Sequence, residues 1–248
     1  MKVIYHPDYN QVYSSDPASA AGRIQAIVSE LQGKVTFVTP QPATPEDILR
    51  AHSPEHLKSV ERAGVYRIAA LAAGGAITAG EIGLSEPCFA VIRPPGHHAS
   101  ASSAWGFCYF NNMAIALEKL KTEGKIDEVF LLDFDLHFGD GNVNILSEKG
   151  YVNILNPDSS SRLDYLKVVE NALARTEADL IAVSAGFDNH EEDWGGLLKT
   201  EDYTRMGQMV RETALRNKGG CFGILEGGYN HAVLGKNVKA FIEGLKVQ

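Results

Sequence analysis

Short apolar runs alternate along the chain with longer stretches in which apolar residues recur every three or four positions. The short runs are rich in Val, Ile, Leu and Phe and lack polar alternation, which is typical of strands buried on both faces of a parallel sheet. Seven such strands are predicted: Lys2–Tyr5, Val35–Thr39, Cys88–Arg93, Glu128–Phe134, Val152–Leu155, Leu180–Ala185 and Gly220–Glu226.

Helical spacing fills most of the stretches between these strands. Residues Ala21–Leu31 place four apolar side chains on one stripe, as an amphipathic helix does. Thr44 and Pro45 have the composition of a helix start, because a hydroxyl caps the first turn and proline fits within it. Four further helices are predicted at Asn111–Lys121, Leu163–Ala174, Thr200–Leu215 and Leu234–Leu245.

Alternating strands and helices predict βαβ units, in which helices cover both faces of a parallel sheet. The 248 residues are enough for one large core, and no repeat, low-complexity segment or linker divides them. We therefore predict an α/β fold: a single domain over residues 1–248, built as a doubly wound parallel sheet flanked by helices.

Composition removes several classes of protein from consideration. The net charge of −8 and the pI near 5.5 argue against a nucleic-acid-binding surface. The three cysteines include no CxxC pair and suggest no disulfide framework. The first seven residues predict a strand and a turn rather than a signal peptide, and no apolar stretch reaches the length of a membrane span. No glycine-rich phosphate loop follows the first strand. A cytoplasmic protein is expected.

The richest chemistry follows the fourth predicted strand, where an apolar run leads into Asp133, Asp135, His137 and Asp140. In open α/β sheets, ligands bind at the carboxyl ends of strands. Asp135 and His137 occupy alternate positions and project to one side of an extended chain, which makes them half of a candidate metal site. For Asp140, a role as the cap of the next helix is the alternative.

Two adjacent histidines, His97 and His98, follow the third strand behind a rigid Pro-Pro-Gly turn. They are either solvated loop residues or an acid–base pair, since histidine changes charge near neutral pH. Asp133 and Asp140 are the candidate carboxylates that would orient their rings.

Asp188 follows the sixth strand and adds a third candidate ligand to Asp135 and His137. Three protein ligands with a fourth position open is the pattern of a catalytic zinc site. Mixed nitrogen and oxygen ligands leave iron and cobalt open as well.

Tyr229 follows the seventh strand behind Gly227 and Gly228, and is either a packed aromatic or a neutral donor to an oxyanion.

Five ordered motifs make the sequence resemble the zinc-dependent histone deacetylase family, which includes acetylpolyamine amidohydrolases and acetoin-utilisation proteins. The resemblance runs from Gly22-Arg23-Ile24 and His52 to the last helix. The motifs are RPPGHHA at 93–99, GFCYFNN at 106–112, DFDLHFGD at 133–140, AGFD at 185–188 and LEGGY at 225–229.

The resemblance implies an arginase/deacetylase-like fold and one zinc ion per chain, held by Asp135, His137 and Asp188. It also implies a structural potassium ion near Asp133, Asp135 and His137. His98 corresponds to the general base, which removes a proton from a zinc-activated water.

The family pattern further places His97 as the electrostatic partner or acid. Asp133 is then the carboxylate behind His97, and Asp140 the one behind His98. Tyr229 corresponds to the tyrosine that bonds the scissile carbonyl.

The substrate channel implied by the resemblance has Phe107 as one wall, beside Gly106, with Gly227 and Gly228 at its base. The expected reaction removes acetyl or other short acyl groups from acylated amines. The expected partners are a small acylated amine or an acetyl-lysine substrate, with no direct binding to nucleic acid or membrane; homo-oligomer formation stays open.

The sequence departs from the family pattern around the rim of the site. The segment from Glu61 to Ala70 is short and lacks the acidic residue that grips the substrate backbone. Val152–Pro157 runs almost directly into Leu163–Tyr165, so the loop with the second aromatic of the channel is missing, and the serine of the potassium site has no clear match. Phe138 stands where many members have a second histidine. We expect a shallow, open pocket that a partner subunit could complete.

Two other functions stay open at this point. An arginase-like metallohydrolase would need a second carboxylate two residues after the ligand histidine, where this chain has Gly139. A non-catalytic protein that binds acylated amines would be expected to lack His98 or Tyr229.

Overall fold

The computed structural model describes residues 1–246, and their strands form a seven-stranded sheet in which every pairing is parallel. The strands are β1 (Lys2–Ile4), β2 (Thr36–Val38), β3 (Cys88–Ala90), β4 (Val129–Asp133), β5 (Val152–Leu155), β6 (Leu180–Ala185) and β7 (Gly220–Leu225). Their order across the sheet is β2-β1-β3-β7-β6-β4-β5. All seven predicted strands are confirmed, several of them shorter by one to three residues than predicted.

Helices cover the sheet. Among residues 1–246 they are α1 (Arg23–Leu31), α2 (Pro45–Leu49), α3 (Pro54–Arg62), α4 (Tyr66–Gly83), α5 (Asn112–Thr122), α6 (Asp140–Leu146), α7 (Arg162–Arg175), α8 (Thr200–Arg216) and α9 (His231–Leu245). The predicted start of α2 is confirmed, because the Thr44 hydroxyl accepts a hydrogen bond from the Asp47 amide in a capping box. None of the described helices combines the length and the apolar character needed to cross a membrane.

The longest helix, α4, escaped the sequence analysis, as did the short helices α3 and α6. Most of α4 is Ala, Gly and Ile, and 13 of its 18 residues are buried. A helix that is apolar all round has no stripe of 3.6-residue period to detect.

The centre of the sheet is the most deeply buried part of the chain. Every residue of β3, β4, β6 and β7 is buried, whereas the edge strands β2 and β5 are partly exposed. This burial explains the uninterrupted apolar runs of the central strands. The carboxyl ends of β3, β7, β6 and β4 are neighbours in the sheet, so the loops that follow them meet at one edge.

Close packing of α4 predicts opposite effects for two glycine substitutions. A Cβ atom on Gly74 would lie 1.9 Å from the backbone oxygen of Gln41. One on Gly80 would lie 3.0 Å from the flexible Leu120 side chain and at an ordinary contact distance of 3.6 Å from the Phe222 ring. Alanine is normally favoured over glycine in a helix by ~1 kcal/mol. We expect Gly74→Ala to lower the free energy of unfolding by about 1–3 kcal/mol, and Gly80→Ala, the control, to leave it unchanged or higher in urea denaturation. Equal stabilities would contradict the close approach at Gly74.

Candidate active site and metal centre

Four adjacent strand ends carry the candidate site. The loops after β3, β4, β6 and β7 converge there, because these strands are neighbours in the sheet. The structure brings together all eight residues that were predicted as metal ligands, acid–base groups or their partners: His97, His98, Asp133, Asp135, His137, Asp140, Asp188 and Tyr229.

Asp135, His137 and Asp188 form a compact set of donor atoms. One donor atom from each lies within 4.8 Å of the other two. Asp135 is anchored by two backbone amides, with its Oδ1 accepting from His137 N at 2.9 Å and its Oδ2 from Gly227 N at 2.8 Å. Asp188 Oδ1 accepts from Leu136 N at 3.1 Å. Both carboxylates are therefore held in place by the backbone amides around them.

The second oxygen of Asp188 shows that this set suits a cation. Asp188 Oδ2 is buried and accepts no hydrogen bond from any described residue, although it lies 3.1 Å from Nδ1 of His137. A buried carboxylate oxygen without a partner is costly, and a metal ion would satisfy it. Two carboxylates and one imidazole are a ligand combination that zinc accepts.

The electrostatics of the cluster also favour positive charge. The close carboxylates of Asp135 and Asp188 raise the pKa of His137 to about 10. Burial, reinforced by the neighbouring Asp135, raises the pKa of Asp188 to about 6. Burial also opposes ionisation of Asp135, but His97 and the hydrogen bonds from His137 and Gly227 hold the pKa of Asp135 below its ordinary value. Two buried carboxylates of this kind need a cation between them.

Glycines make room for the carboxylates. A Cβ atom on Gly227 would lie 2.5 Å from Asp135 Oδ2 and 2.7 Å from Asp188 Oδ2, and one on Gly186 would lie 2.0 Å from Asp135 Oδ2. Gly228 has a φ of +112°, which disfavours other residues. The Gly-Gly pair therefore lets the loop after β7 pass directly against the ligand set.

The tandem histidines each face a carboxylate. His97 Nδ1 lies 3.2 Å from Asp133 Oδ2, and His98 Nδ1 donates to Asp140 Oδ1 at 2.6 Å. Both histidines are buried, and their ring centroids are 4.0 Å apart. Because a carboxylate only accepts, Nδ1 of His98 carries the proton and Nε2 keeps its lone pair in the neutral ring.

The two imidazoles have opposite electrostatic environments. Burial alone would lower the pKa of His97, but Asp135 and Asp133 hold it well above its ordinary value. Burial, and then the charge of His97, lowers the pKa of His98 to about 4. One ring is therefore kept cationic and the other neutral, which is the arrangement an acid–base pair requires.

The helix-cap interpretation of Asp140 is wrong. Asp140 is the first residue of α6, but Gly139 occupies the cap position and no side chain caps this helix. Instead, Asp140 Oδ1 accepts from His98 and Oδ2 accepts from the indole nitrogen of Trp105 at 2.9 Å.

Trp105 is a site residue that the sequence analysis missed. Its indole stacks on the His98 ring with centroids 3.9 Å apart, while its N–H holds Asp140. Trp105 therefore fixes both the imidazole and the carboxylate behind it. The available signal was its position directly before Gly106, whose Cβ atom, if present, would lie 2.4 Å from the His98 ring.

Glu226 is a second missed residue. Its buried Oε2 accepts from Gly96 N at 2.7 Å and His97 N at 3.3 Å, and its Oε1 accepts from the Ser184 hydroxyl at 3.2 Å. Burial raises the pKa of Glu226 to about 7. Glu226 thus ties β7 to the histidine turn after β3 and to β6.

Tyr229 lies among aromatic side chains at the mouth of the site. Its ring stacks on Trp194 with centroids 4.1 Å apart and meets the edge of Phe107 at 5.9 Å. Burial, and then the nearby Asp135 and Asp188, raise the pKa of Tyr229 above its ordinary value, so the phenol stays protonated and can donate. Phe107 itself has a left-handed backbone with φ of 68°, an uncommon conformation for a bulky residue.

Comparisons with known proteins agree with this geometry. The sequence matches the family described as Histone deacetylase domain over residues 17–157 and 149–245. It is 30% identical to a probable deacetylase of Methanothermobacter thermautotrophicus, covering 99% of this chain and 90% of the relative. It is 29% identical to a histone deacetylase-like amidohydrolase of Pseudomonas aeruginosa, covering 83% of this chain and 69% of the relative.

The solved structures show the same fold. The crystal structure of the HDA15 HD domain matches with a TM-score of 0.84 at 23% sequence identity, over 98% of this chain and 88% of that chain. The alignment with the Methanothermobacter protein extends over 303 positions, more than the 248 residues here, so the relative carries segments that this chain lacks.

Metal binding provides a test of the ligand set. After removal of metals with a chelator, the wild-type protein should bind about one Zn²⁺ per chain and gain roughly 2.7 kcal/mol of stability when free zinc is a hundredfold above Kd. Asp188→Asn removes a buried ligand oxygen and should abolish this gain. Asp140→Asn, a neighbouring carboxylate outside the ligand set, is the control and should bind zinc normally. Equal zinc binding by both variants would contradict the assignment of Asp188.

The pH dependence of stability tests the burial of Glu226. Its folded-state pKa of about 7 lies above the ordinary value of 4.5, so folding favours the protonated form. This contribution is complete below the ordinary value and is lost as the pH rises through about 7, at about 1.4 kcal/mol per pKa unit. In metal-free protein, Glu226→Gln should therefore flatten the fall of the unfolding free energy between about pH 5 and about pH 8.

The amide in Glu226→Gln can accept from Gly96 N and donate to Ser184, so the hydrogen bonds have replacements. Glu55→Gln, on the exposed part of α3, is the matched control and should leave the slope of the unfolding free energy against pH unchanged. Identical slopes for wild type and Glu226→Gln would contradict the assignment of the titration to Glu226.

Proposed function

Because the chain belongs to the histone deacetylase domain family and is an amidohydrolase of the deacetylase class, we propose that it hydrolyses acylated amines with the help of zinc. The substrate class is an acetyl or other short-chain amide of a primary amine, and the products are a carboxylate and the free amine. The observation that carries the proposal is the buried Asp135–His137–Asp188 set directly beside two histidine–carboxylate pairs.

Asp135, His137 and Asp188 would hold the metal. When bound, zinc supplies Lewis-acid polarisation of the scissile carbonyl and lowers the pKa of water towards ~7. The low exposure of Asp135 and Asp188 keeps competing solvent away and strengthens the electrostatic interactions in the site.

His98 accepts the proton of the attacking water. Asp140 holds its Nδ1–H, which leaves the Nε2 lone pair free to act as the base. Burial and the neighbouring His97 lower its pKa to about 4, so His98 is unprotonated in neutral solution. A positioned base of this kind usually contributes ~10²–10⁴-fold to the rate.

His97 serves as the electrostatic partner. The carboxylates of Asp133 and Asp135 keep its ring cationic, and this charge offsets the negative charge that develops on the substrate. The histidine pair then returns a proton to the leaving amine, which balances the proton taken from water.

Tyr229 donates to the carbonyl oxygen as it becomes an oxyanion. Its raised pKa keeps the phenol neutral, so the hydrogen bond needs no prior ionisation. Phe107 and Gly106 form one side of the proposed substrate channel, and Gly227 and Gly228 its base.

We propose that residues 1–248 act as one catalytic domain, supported by the single sheet to which both halves of the chain contribute strands. The choice between acetyl-lysine in proteins, acetylpolyamines and small N-acyl metabolites stays open. The potassium ion beside Asp133 and the cytoplasmic location remain predictions.

The arginase-like alternative has a steric argument against it. A second metal would need a carboxylate at position 139, but a Cβ atom there would lie 1.9 Å from Asp133 Oδ2. Position 139 therefore accommodates only glycine, which supports a site with one catalytic metal. A non-catalytic binding protein would have no need for the intact His98–Asp140 pair.

Replacement of Tyr229 tests the mechanism. Tyr229→Phe keeps the ring but removes the oxyanion donor, so kcat for deacetylation of an Nε-acetyl-lysine peptide should fall by about 10²–10³-fold, with little change in KM. Tyr151→Phe removes a phenol at the opposite edge of the sheet, where it bonds Glu118, and should keep full activity. Full activity of the folded, zinc-loaded Tyr229→Phe variant would contradict the proposed role of Tyr229.

A further inference from the structure

Two exposed aromatic side chains lie at the candidate site. They are the two tryptophans of the chain, Trp105 at 56% exposure and Trp194 at 52%. Large apolar side chains that stay exposed around a polar cleft mark a surface that contacts a ligand.

Trp105 has a local role, because it stacks on His98 and bonds Asp140. Trp194 requires a different explanation. Its indole touches one residue from each part of the proposed machinery: the oxyanion donor Tyr229 at 4.1 Å, the ligand His137 at 6.0 Å and the channel wall Phe107 at 6.5 Å between ring centroids.

The backbone fixes Trp194 in this position. Asp193, directly before it, accepts hydrogen bonds from Tyr229 N and Asn230 N, both at 2.8 Å. Gly195, directly after it, donates its amide to the backbone oxygen of Asp188 at 2.8 Å. The tryptophan is therefore held at both ends, between the metal-ligand loop and the Tyr229 loop.

Without Trp194, the rim of the candidate site would lack a second aromatic wall. Only six residues, 156–161, connect the end of β5 at Leu155 to the start of α7 at Arg162, so this connection contains no long loop. Phe107 alone would leave one side of the channel open. Trp194 packs edge-to-face with Phe107, at an interplanar angle of 70°, and its stacking on Tyr229 extends the aromatic surface along the site.

We propose that Trp194 is a specificity-determining residue, which forms a second aromatic wall of the substrate site beside Phe107 and Tyr229. The site is then narrower than the open pocket expected from the sequence. Two aromatic walls favour an amide whose amine carries a linear alkyl stem, since the methylene groups pack against the rings. This inference rests on the proposed function for its substrate class.

A series of N-alkyl acetamides, from N-methyl to N-butyl, tests whether Trp194 contacts the alkyl stem of the substrate. Burial of one methylene group usually improves affinity on the order of fourfold. We expect wild-type kcat/KM to rise by roughly this factor for each added methylene, and the increment to fall below about twofold in Trp194→Ala. Trp194→Phe keeps an aromatic wall and should restore most of the increment.

Leu215→Ala, an exposed apolar residue at the end of α8, is the matched control and should keep the wild-type increment. A residue with a purely structural role would lower kcat/KM equally for all members of the series. An unchanged increment in folded Trp194→Ala would overturn the proposal.

Tryptophan fluorescence separates this inference from the proposed function. Trp105→Phe leaves Trp194 as the sole fluorescent tryptophan of the chain. Titration with N-butylacetamide should change its emission saturably, with a higher apparent Kd for N-methylacetamide. No saturable change would count against the wall even if the wild-type protein deacetylates amides, whereas a saturable change without hydrolysis of any amide by the wild-type protein would refute only the proposed function.

Discussion

The burial of two neighbouring carboxylates, Asp135 and Asp188, is the constraint on which the site depends. Removal of such charges from water costs several kcal/mol each in real proteins unless hydrogen bonds and opposite charge compensate. Backbone amides of His137, Gly227 and Leu136 supply three of the hydrogen bonds. One oxygen of Asp188 still accepts no hydrogen bond from the described residues, and it faces the His137 ring. A cation completes this arrangement, and the same charge is the one that amide hydrolysis requires.

Charged and hydrogen-bonding residues around Asp135 and Asp188 compensate for the burial of these two carboxylates. Asp135 and Asp133 hold His97 as a cation, and burial together with that charge keeps its neighbour His98 neutral. Glu226 fixes the turn that carries both histidines through two backbone amides. The loops that meet at the site come from four strands far apart in sequence, and glycine is needed where they pass closest. Stability of the metal-free protein and chemistry of the loaded site are therefore linked through the same buried groups.

The sequence predicted the parts of this account that depend on local pattern. Buried parallel strands have continuous apolar sequences. Polar residues directly after such a run indicate the edge of the sheet at which ligands bind. Asp135 and His137 could therefore be predicted from their position after β4. The helix α4 has no polar face and therefore no periodic signal. Trp105 and Trp194 lie in loops whose contacts depend on the tertiary fold. The proposed wall at Trp194 could not be predicted for the same reason, because the absence of one loop is visible in the sequence but a contribution of Trp194 from another loop is not.

Zinc-dependent release of acetate tests the central claim most directly. Metal-free protein would be titrated with Zn²⁺, and the rate of acetate release from an Nε-acetyl-lysine peptide measured at each addition. The account predicts a rate that starts near zero, rises in proportion to added zinc and levels off at one equivalent per chain. No release at any loading, or a break at two equivalents, would contradict it.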